Sequence, residues 1–172
     1  MDKVYIIGSV ASGKTTLAKK LSFIRGIKYY ELDNIVHDDT KKTHEKRSIE
    51  EQEEIINKIN EESSWIIEGT YRKSAHLILD LADKIIFLDT PVLTRKVRIL
   101  TRFIKQKLHI EKCNYKANLS MLKLMYMWTD SFEERREELE SMLSNDYNRK
   151  LILLRNKKEM ESFIKKYIKK DG

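Results

Sequence analysis

Short, largely apolar runs recur along the chain, and longer stretches with helical periodicity separate them. Five runs have the length and continuous apolar character of buried strands: residues 3–8, 28–32, 64–68, 84–89 and 150–154. Strands that are apolar on both faces are typical of parallel sheets that helices cover on both sides. The alternation of strands and helices therefore predicts a single three-layer α/β/α domain over residues 1–172, built on a five-stranded parallel sheet.

Capping residues and proline mark where several helices are expected to begin. Four pairs have the spacing of a helix start: Ser48 with Glu51, Thr90 with Pro91, Asp130 with Glu133, and Asn156 with Glu159. They predict helices over about residues 49–62, from residue 91, over about residues 131–143 and after residue 156. A first helix is expected over about residues 14–23.

An apolar segment precedes the third of these helix starts. Residues 119–128 (LSMLKLMYMW) are apolar on nearly all sides and hold three of the six methionines. The segment is too short to span a bilayer, which takes about 20 apolar residues. We expect it to be buried in the core or beneath a lid, and a contact between two copies of the chain is the alternative.

Composition narrows the class of protein. Hydrophobic residues make up 41% and charged residues 35% of the 172 positions, which is enough apolar material for a packed core and excludes collagen-like or largely disordered chains. The single cysteine, Cys113, excludes a disulfide framework and a cysteine-based zinc site. The first apolar run is too short for a secretory signal. We therefore expect a soluble, cytoplasmic protein without membrane contact.

Positive charge is concentrated in one part of the chain. The net charge is +7, yet residues 94–123 alone hold nine Lys or Arg residues against one carboxylate, a net charge of +8. The basicity therefore belongs to this segment and not to the whole surface. Such a segment is typical of contact with phosphate groups, on either a small ligand or a nucleic acid.

The first strand is followed by a phosphate-binding loop. Residues 8–15 (GSVASGKT) match the pattern G-x-x-x-x-G-K-[ST], which indicates a nucleoside triphosphate site when it joins a strand to a helix. The glycines let the backbone wrap around phosphates, the N–H groups bind the anion, the lysine contacts the β and γ oxygens, and the threonine hydroxyl holds Mg²⁺. The predicted ATP-binding residues are Gly8, Ser9, Ala11, Ser12, Gly13, Lys14, Thr15 and Thr16.

A small kinase fits this loop better than a guanine-specific switch. No Asp has Gly three residues later, and residues 156–159 (NKKE) differ from the guanine-binding Asn-Lys-x-Asp by one methylene. Arg98 and Arg102 lie four residues apart on one helix face, with Arg95 a turn earlier, so they can close over the triphosphate. Phosphoryl transfer depends on positioning and charge neutralisation, which predicts a catalytic role for Arg98 and Arg102 within a lid and helical insertion over about residues 94–129.

Further motifs resemble one group of kinases. Residues 65–72 (WIIEGTYR) resemble the third-strand segment of adenylate-kinase-like enzymes, and residues 86–102 resemble their fourth strand and lid entrance. The pair Leu32-Asp33, the W-I-I-x-G-x-Y block and a Leu-Arg-Asn-like end of the fifth strand are similar to the DNA topology modulation family, which is classed with adenylate and shikimate kinases. The resemblance implies a P-loop NTPase fold with a helical lid. It implies a kinase-like site, whereas an effect on DNA topology is implied only by the family's name.

The resemblance also implies roles for acidic residues at the strand ends, where open parallel sheets bind ligands. Asp33 is similar to the acid that orients or deprotonates an acceptor hydroxyl in shikimate-kinase-like enzymes. Glu68 stands where related kinases have an Asp that helps to hold Mg²⁺ through water, so Thr15 and Glu68 are the expected metal ligands. Asp89 is either an alternative metal ligand or a structural acid.

Arginines complete the expected site. Arg72 resembles an acceptor-binding arginine that clamps a phosphate with two hydrogen bonds, and Arg135 or Arg136 resembles the arginine that follows the lid. Arg155 and Asn156 follow the fifth strand, where related kinases pack the adenine ring. The expected acceptor side is Asp33, Glu68 and Arg72, and the expected catalytic set is Lys14, Asp33, Arg98 and Arg102.

Three functions remain open at the level of sequence. The first is a kinase that uses ATP and Mg²⁺ to phosphorylate a nucleotide, a nucleoside or a similar small acceptor, as a monomer or a homodimer. A phosphate acceptor would need only Arg72, whereas a hydroxyl acceptor would use Asp33 as a base. The second is a nucleic-acid-associated ATPase or regulator of DNA topology that binds through the basic segment. The third is an ATP-binding protein that transfers no phosphate.

Overall fold

The structure is a computed structural model that describes residues 2–38, 45–108, 110 and 118–169. The strands in this part of the chain are β1 (Asp2–Gly8), β2 (Tyr29–Glu31), β3 (His37–Asp38), β4 (Glu45–Lys46), β5 (Ser64–Gly69), β6 (Lys84–Leu88) and β7 (Leu151–Leu154). Five of them form a parallel sheet in the order β2-β5-β1-β6-β7, and β3 and β4 form a short antiparallel hairpin. The predicted five-stranded parallel sheet is confirmed, and each strand limit lies within one residue of the predicted one.

Helices cover both faces of the sheet. They are α1 (Lys14–Arg25), α2 (Leu32–Val36), α3 (Ile49–Asn60), α4 (Leu77–Leu81), α5 (Val92–Lys107), α6 (Leu119–Asp146) and α7 (Lys157–Lys169). Alternate side chains of β1 enter two separate cores, because successive residues of a strand face opposite sides. Val4 and Ile6 pack with residues of α1 and α7, whereas Tyr5 and Ile7 pack with residues of α3, α4 and α6. The three-layer α/β/α architecture is therefore as predicted.

Two of the predicted helix starts are confirmed. The side chain of Ser48 accepts from the backbone N–H of Glu51 at 3.2 Å, and the Glu51 carboxylate accepts from the backbone N–H of Ser48 at 2.7 Å. Asn156 accepts from the backbone N–H of Glu159 at 3.0 Å at the start of α7. Both patterns act within a single turn, so the sequence alone determines them.

The helix start predicted at Asp130 is wrong. Helix α6 runs without interruption from Leu119 to Asp146, and Asp130 lies inside it. The carboxylates of the supposed capping pair instead face α5, where Asp130 binds Lys96 at 2.8 Å and Glu133 binds Arg95. Ion pairs with a neighbouring helix have replaced the local capping contacts.

Two further expectations need correction at α5 and α6. Helix α5 begins at Val92, with Pro91 at the N-cap position and no side-chain cap, so Thr90 does not cap it. Of the apolar segment 119–128, Met125 is buried, but Leu119, Met127 and Trp128 are 72%, 55% and 49% exposed. The predicted lid segment 94–129 comprises most of α5 and the first third of α6, and its residues 109 and 111–117 lie outside the described residues.

None of the described helices combines the length and the hydrophobicity of a transmembrane span.

Candidate functional site

The phosphate-binding loop lies at the carboxyl end of β1, between β5 and β6. A Cβ atom at Gly8 would lie 2.6 Å from Oγ of Ser12 and 3.1 Å from the carbonyl oxygen of Leu88, so the first loop glycine leaves no room for a side chain. Ala11 and Gly13 have positive φ angles of 57° and 107°. The second of these angles favours glycine, which has no Cβ to clash in the left-handed region.

The carbonyl oxygens of the loop are held from outside by three side chains. Thr70, after β5, donates to the carbonyl of Gly8 at 3.1 Å, and Thr90, after β6, donates to the carbonyl of Ser12 at 3.0 Å. Arg98 of α5 donates to Ser12 at 2.9 Å and to Ala11 at 3.0 Å. In a planar trans peptide, the C=O of one residue and the N–H of the next point in opposite directions. Because these contacts hold the carbonyls of Gly8 and Ser12 outward, the N–H groups of Ser9 and Gly13 point inward.

Polar groups of the loop are buried where an anion would bind. The hydroxyls of Ser9 and Ser12 are buried, and neither has a hydrogen-bond partner among the described residues. The ammonium group of Lys14 donates to the carbonyl of Ser9 at 3.2 Å, and Thr16 is exposed in the first turn of α1. A buried hydroxyl without a partner is costly in a folded chain, and phosphate oxygens are acceptors that satisfy such groups.

Lys14 and Glu68 form an oppositely charged pair beside the loop. Burial lowers the pKa of Lys14, and the charges of Glu68 and Asp33 oppose that decrease. Burial raises the pKa of Glu68, and the charge of Lys14 and a hydrogen bond from Thr15 oppose that increase. Each group thus reduces the cost of keeping the other charged in a site that is poorly hydrated.

The two predicted metal ligands contact each other. The hydroxyl of Thr15 donates to Oε1 of Glu68 at 2.5 Å. In the described residues, no group of three or more His, Cys, Asp or Glu side chains is arranged to hold a metal ion. A hydroxyl and one carboxylate next to a phosphate-binding loop nevertheless fit Mg²⁺, which binds oxygen atoms and usually takes few protein ligands besides phosphates and water.

The predicted acceptor residues Asp33 and Arg72 form an ion pair at the same edge of the sheet. Asp33 lies in the first turn of α2, directly after β2, and Arg72 follows β5. The guanidinium of Arg72 donates to Oδ1 of Asp33 at 2.6 Å, and the side chains are 34% and 70% exposed. Glu31 of β2 pairs with Glu68 of β5, and Thr70 donates to Gly8, so the segments that carry Asp33 and Arg72 lie beside the phosphate-binding loop.

Tyr5 is a residue of this region that sequence reasoning missed. It lies in the middle of β1, its ring is fully buried, and its hydroxyl has no hydrogen-bond partner among the described residues. Burial and the charge of Tyr71 raise its pKa, and Arg72, Glu68 and Asp33 also lie within its electrostatic range. A tyrosine inside an apolar strand reads as a core residue in sequence, so no local signal distinguishes it.

The predicted lid arginines have different surroundings. Arg98 contacts the phosphate-binding loop, as described above, and Arg102 lies near enough for its charge to lower the pKa of Lys14 further. Arg95 does not belong with them, although it was expected on the same face. It is 1% exposed, donates to the carbonyl of Thr90 at 2.8 Å and forms an ion pair with Glu133, so it anchors α5 to α6.

Of the two residues expected near the adenine, Asn156 caps α7 and Arg155 belongs to an ion-pair network. Arg155 lies 3.6 Å from Asp89 and 2.9 Å from Glu140, and Arg136 contacts the same two carboxylates at 3.3 Å and 3.0 Å. Asp89 therefore holds α6 and the end of β7 together, in agreement with its interpretation as a structural acid. Arg135 makes a long hydrogen bond of 3.4 Å to its own helix at Ser131.

Similarity to known proteins is found at the level of structure only. No family model and no curated protein matches the chain. Shikimate kinase from Acinetobacter baumannii in complex with shikimate superposes with a TM-score of 0.59 at 15% identity, covering 96% of this chain and 89% of that one. Shikimate kinase from Bacteroides thetaiotaomicron gives a TM-score of 0.54 at 14% identity, covering 95% and 94%.

A third structure extends the same comparison. A sugar kinase from a Janibacter species gives a TM-score of 0.52 at 17% identity, covering 96% of this chain and 91% of that one. Together with the sheet order and the phosphate-binding loop, these likenesses define the chain as a protein with the P-loop kinase fold. Its similarity to the DNA topology modulation family remains a prediction from sequence.

Proposed function

We propose that this protein is a kinase that transfers the γ-phosphoryl group of ATP to a hydroxyl group of a small molecule, with Mg²⁺ as cofactor. One observation carries the proposal: the Asp33–Arg72 pair lies at the carboxyl edge of the sheet, after the two strands whose ends pair Glu31 with Glu68. A nucleotide-binding protein that only hydrolyses or senses ATP does not need an acceptor-orienting pair beside its phosphate-binding loop. A kinase needs such a pair to orient its acceptor.

The loop side of the site would hold ATP. Backbone amides turned inward by Thr70, Thr90 and Arg98 are donors for the phosphates, and Lys14 adds a positive charge. Thr15 and Glu68 would hold Mg²⁺, which supplies charge neutralisation at the β and γ phosphates when it is bound. Arg102, whose charge acts on Lys14, would neutralise charge on the transferred group, and Arg98 would join it by turning from the loop carbonyls that it contacts.

The acceptor side favours a hydroxyl over a phosphate. Asp33 and Arg72 neutralise each other at 2.6 Å, and the Asp33 carboxylate would repel a phosphate dianion that approached the remaining N–H groups of Arg72. A hydroxyl group can accept a hydrogen bond from Arg72 and donate one to Asp33 while the pair remains intact. We therefore infer that the part of the acceptor that Asp33 and Arg72 contact is uncharged and carries hydroxyl groups.

In this proposal Asp33 accepts the proton of the attacking hydroxyl. The new bond forms between the acceptor oxygen and the γ-phosphorus while the bond between that phosphorus and the bridging oxygen of ADP breaks. The proton moves from the acceptor oxygen to the Asp33 carboxylate, and the leaving electron pair stays on ADP. Arg72 keeps the carboxylate oriented through the transfer.

ADP production with a panel of acceptors tests the proposal. The panel contains shikimate, hexoses, nucleosides and nucleoside monophosphates, each with ATP and Mg²⁺. We expect ADP formation that depends on one hydroxyl acceptor and is lost in Lys14→Ala and Asp33→Asn. Lys73→Ala, which removes the exposed cation next to Arg72, is the matched control and keeps its activity.

Two results would contradict the proposal in different ways. ATP binding without ADP formation for any acceptor would indicate a binding protein, and ADP formation that ignores the acceptor would indicate an ATPase. The nucleic-acid alternative has less support in this structure, because Arg95 and Lys96 are engaged with Glu133 and Asp130 and Arg98 binds the loop. Duplex DNA that stimulated ADP formation in a salt-dependent way would restore that alternative.

A further inference from the structure

Helix α5 presents a row of apolar side chains to solvent. The row is formed by Leu93, Val97, Leu100, Ile104 and Leu108, with exposed fractions between 43% and 75%. At 100° and 1.5 Å per residue, these five positions fall within an arc of about 80° along about 22 Å of helix. We refer to this row as the α5 ridge.

The opposite face of the same helix is buried and mixes polar with apolar side chains. Arg95, Ile99 and Gln106 are 1%, 1% and 8% exposed, and Arg98 binds the phosphate-binding loop. An ordinary surface helix places its apolar face inward and its polar face outward. The five ridge side chains lie on the outer face instead, so burial in the hydrophobic core does not account for them.

Exposed apolar residues are concentrated around this helix. Among the described residues, nine of the twelve large hydrophobic side chains that are exposed lie between Leu93 and Trp128. Isolated surface hydrophobics are common, but a contiguous row marks a site of interaction.

Charge distinguishes between the partners that could cover the ridge. Helix α5 contains no Asp or Glu, and the exposed cations Lys105 and Lys107 lie on either side of the ridge. A second copy of the chain that paired through its own α5 would place another carboxylate-free, basic helix against them, so like charges would face each other. An anionic occupant satisfies both the apolar row and its basic borders.

We propose that the α5 ridge binds the surface of an anionic lipid bilayer. A basic amphipathic helix lies in the membrane interface with its apolar side chains among the acyl chains and its cations at the headgroups. The ridge positions share one side of α5, so they can meet a planar interface together. The phosphate-binding loop contacts a different side of α5, through Arg98. This surface was not expected from the sequence, which indicated no membrane contact.

Vesicle flotation of the full chain tests this proposal. The probes are vesicles of phosphatidylcholine alone and vesicles that also contain about 30% phosphatidylglycerol, a fraction that gives a clearly negative surface potential. We expect the protein to float with the anionic vesicles and to be released by salt. Replacing Val97 and Ile104 together by serine is expected to weaken binding by about tenfold or more, because two buried aliphatic groups are lost.

Matched variants keep the test specific. Phe23→Ser removes an apolar side chain that is 90% exposed on α1 and is expected to leave vesicle binding unchanged. The double variant Lys105→Gln/Lys107→Gln is expected to weaken binding to anionic vesicles. The control Lys19→Gln/Lys20→Gln on α1 lowers the net charge by the same amount and is expected to leave that binding unchanged. All four replaced lysines are exposed, and thermal unfolding checks that each variant is folded.

Three outcomes would overturn the proposal. Undiminished flotation of the Val97→Ser/Ile104→Ser variant would show that the ridge is not the binding surface. Equal binding to both kinds of vesicle would show that charge does not contribute to binding. No flotation, together with a dimer in sedimentation that the same double variant dissociates, would show that the ridge joins two copies of the chain.

Discussion

Arg98 donates to the carbonyl oxygen of Ser12 at 2.9 Å, and Thr90 donates to the same atom at 3.0 Å. The tip of the phosphate-binding loop is therefore attached to α5 and to the end of β6 at once. A second contact from Arg98, at 3.0 Å to Ala11, fixes the preceding peptide as well. The loop is shaped before any phosphate arrives, which lowers the entropic cost of binding.

We expect Arg98→Ala to affect both stability and ATP binding. The loss of two charged hydrogen bonds on a partly exposed side chain should lower the free energy of unfolding by about 1–2 kcal/mol. Affinity for ATP should fall because the loop is no longer held. Chemical denaturation and binding of a fluorescent ATP analogue measure the two effects. Unchanged affinity in Arg98→Ala, with Lys105→Ala as control, would show that the loop does not depend on Arg98.

Glu133→Ala is predicted to be strongly destabilising. Arg95 is 1% exposed, and removing its carboxylate partner on α6 leaves a buried charge, at a cost of about 3 kcal/mol. Glu134→Ala, one residue along and exposed, should be close to neutral. Denaturant unfolding compares the two variants, and equal stabilities would contradict the anchoring role of Arg95. An apolar pair at positions 95 and 133 should restore part of the loss.

Binding of MgATP is predicted to be strongest at a pH between the pKa of Glu68 and the pKa of Lys14. Burial raises the pKa of Glu68, so its carboxylate is protonated at higher pH than an ordinary glutamate, and Mg²⁺ binding weakens there as pH falls. Burial lowers the pKa of Lys14, so its charge is lost at lower pH than usual as pH rises, and ATP binding weakens again. In Glu68→Gln, the affinity for Mg²⁺ measured by titration should no longer decrease as the pH is lowered. If the decrease persisted in the variant, another group would be its cause.

Gly69→Ala should disturb the acceptor side of the site. An added Cβ would lie 2.5 Å from Cβ of Leu32 and 2.9 Å from its Cδ2, and Leu32 directly precedes Asp33. We expect destabilisation of about 1–3 kcal/mol and a higher KM for the acceptor, with ATP affinity nearly unchanged. Gly26→Ala is the control, because it strains a residue with φ of +64° at the end of α1 without touching the site. A similar KM in both variants would contradict this prediction.

The strands, the phosphate-binding loop and two helix caps were predictable because their signals are local. The loop pattern at residues 8–15 and the box formed by Ser48 and Glu51 each act within about two turns of chain. Continuous apolar runs predicted a buried parallel sheet for the same reason. The resemblance to kinases extended this to Asp33 and Arg72, which the structure brings to within 2.6 Å of each other.

The remaining features depend on distant contacts that no local pattern contains. Asp130 looked like a helix cap, but its carboxylate binds Lys96 on another helix. Arg95 looked like a lid residue, and only the packing of α5 on α6 buries it against Glu133. Thr70 stands at a variable position of the W-I-I-x-G-x-Y block and Tyr5 belongs to no motif, and their position beside the loop and the acceptor pair follows from the order of the strands.

Helix α5 connects the phosphate-binding loop, which Arg98 contacts, with the α5 ridge on its outer side. A membrane that changed the position of α5 would therefore change the contact of Arg98 with the loop. Thermodynamic linkage then fixes a relation between the two events: whatever factor a membrane surface applies to the ATP affinity, ATP must apply to the membrane affinity. ATP binding and membrane binding would therefore be coupled through a single helix, without a second domain.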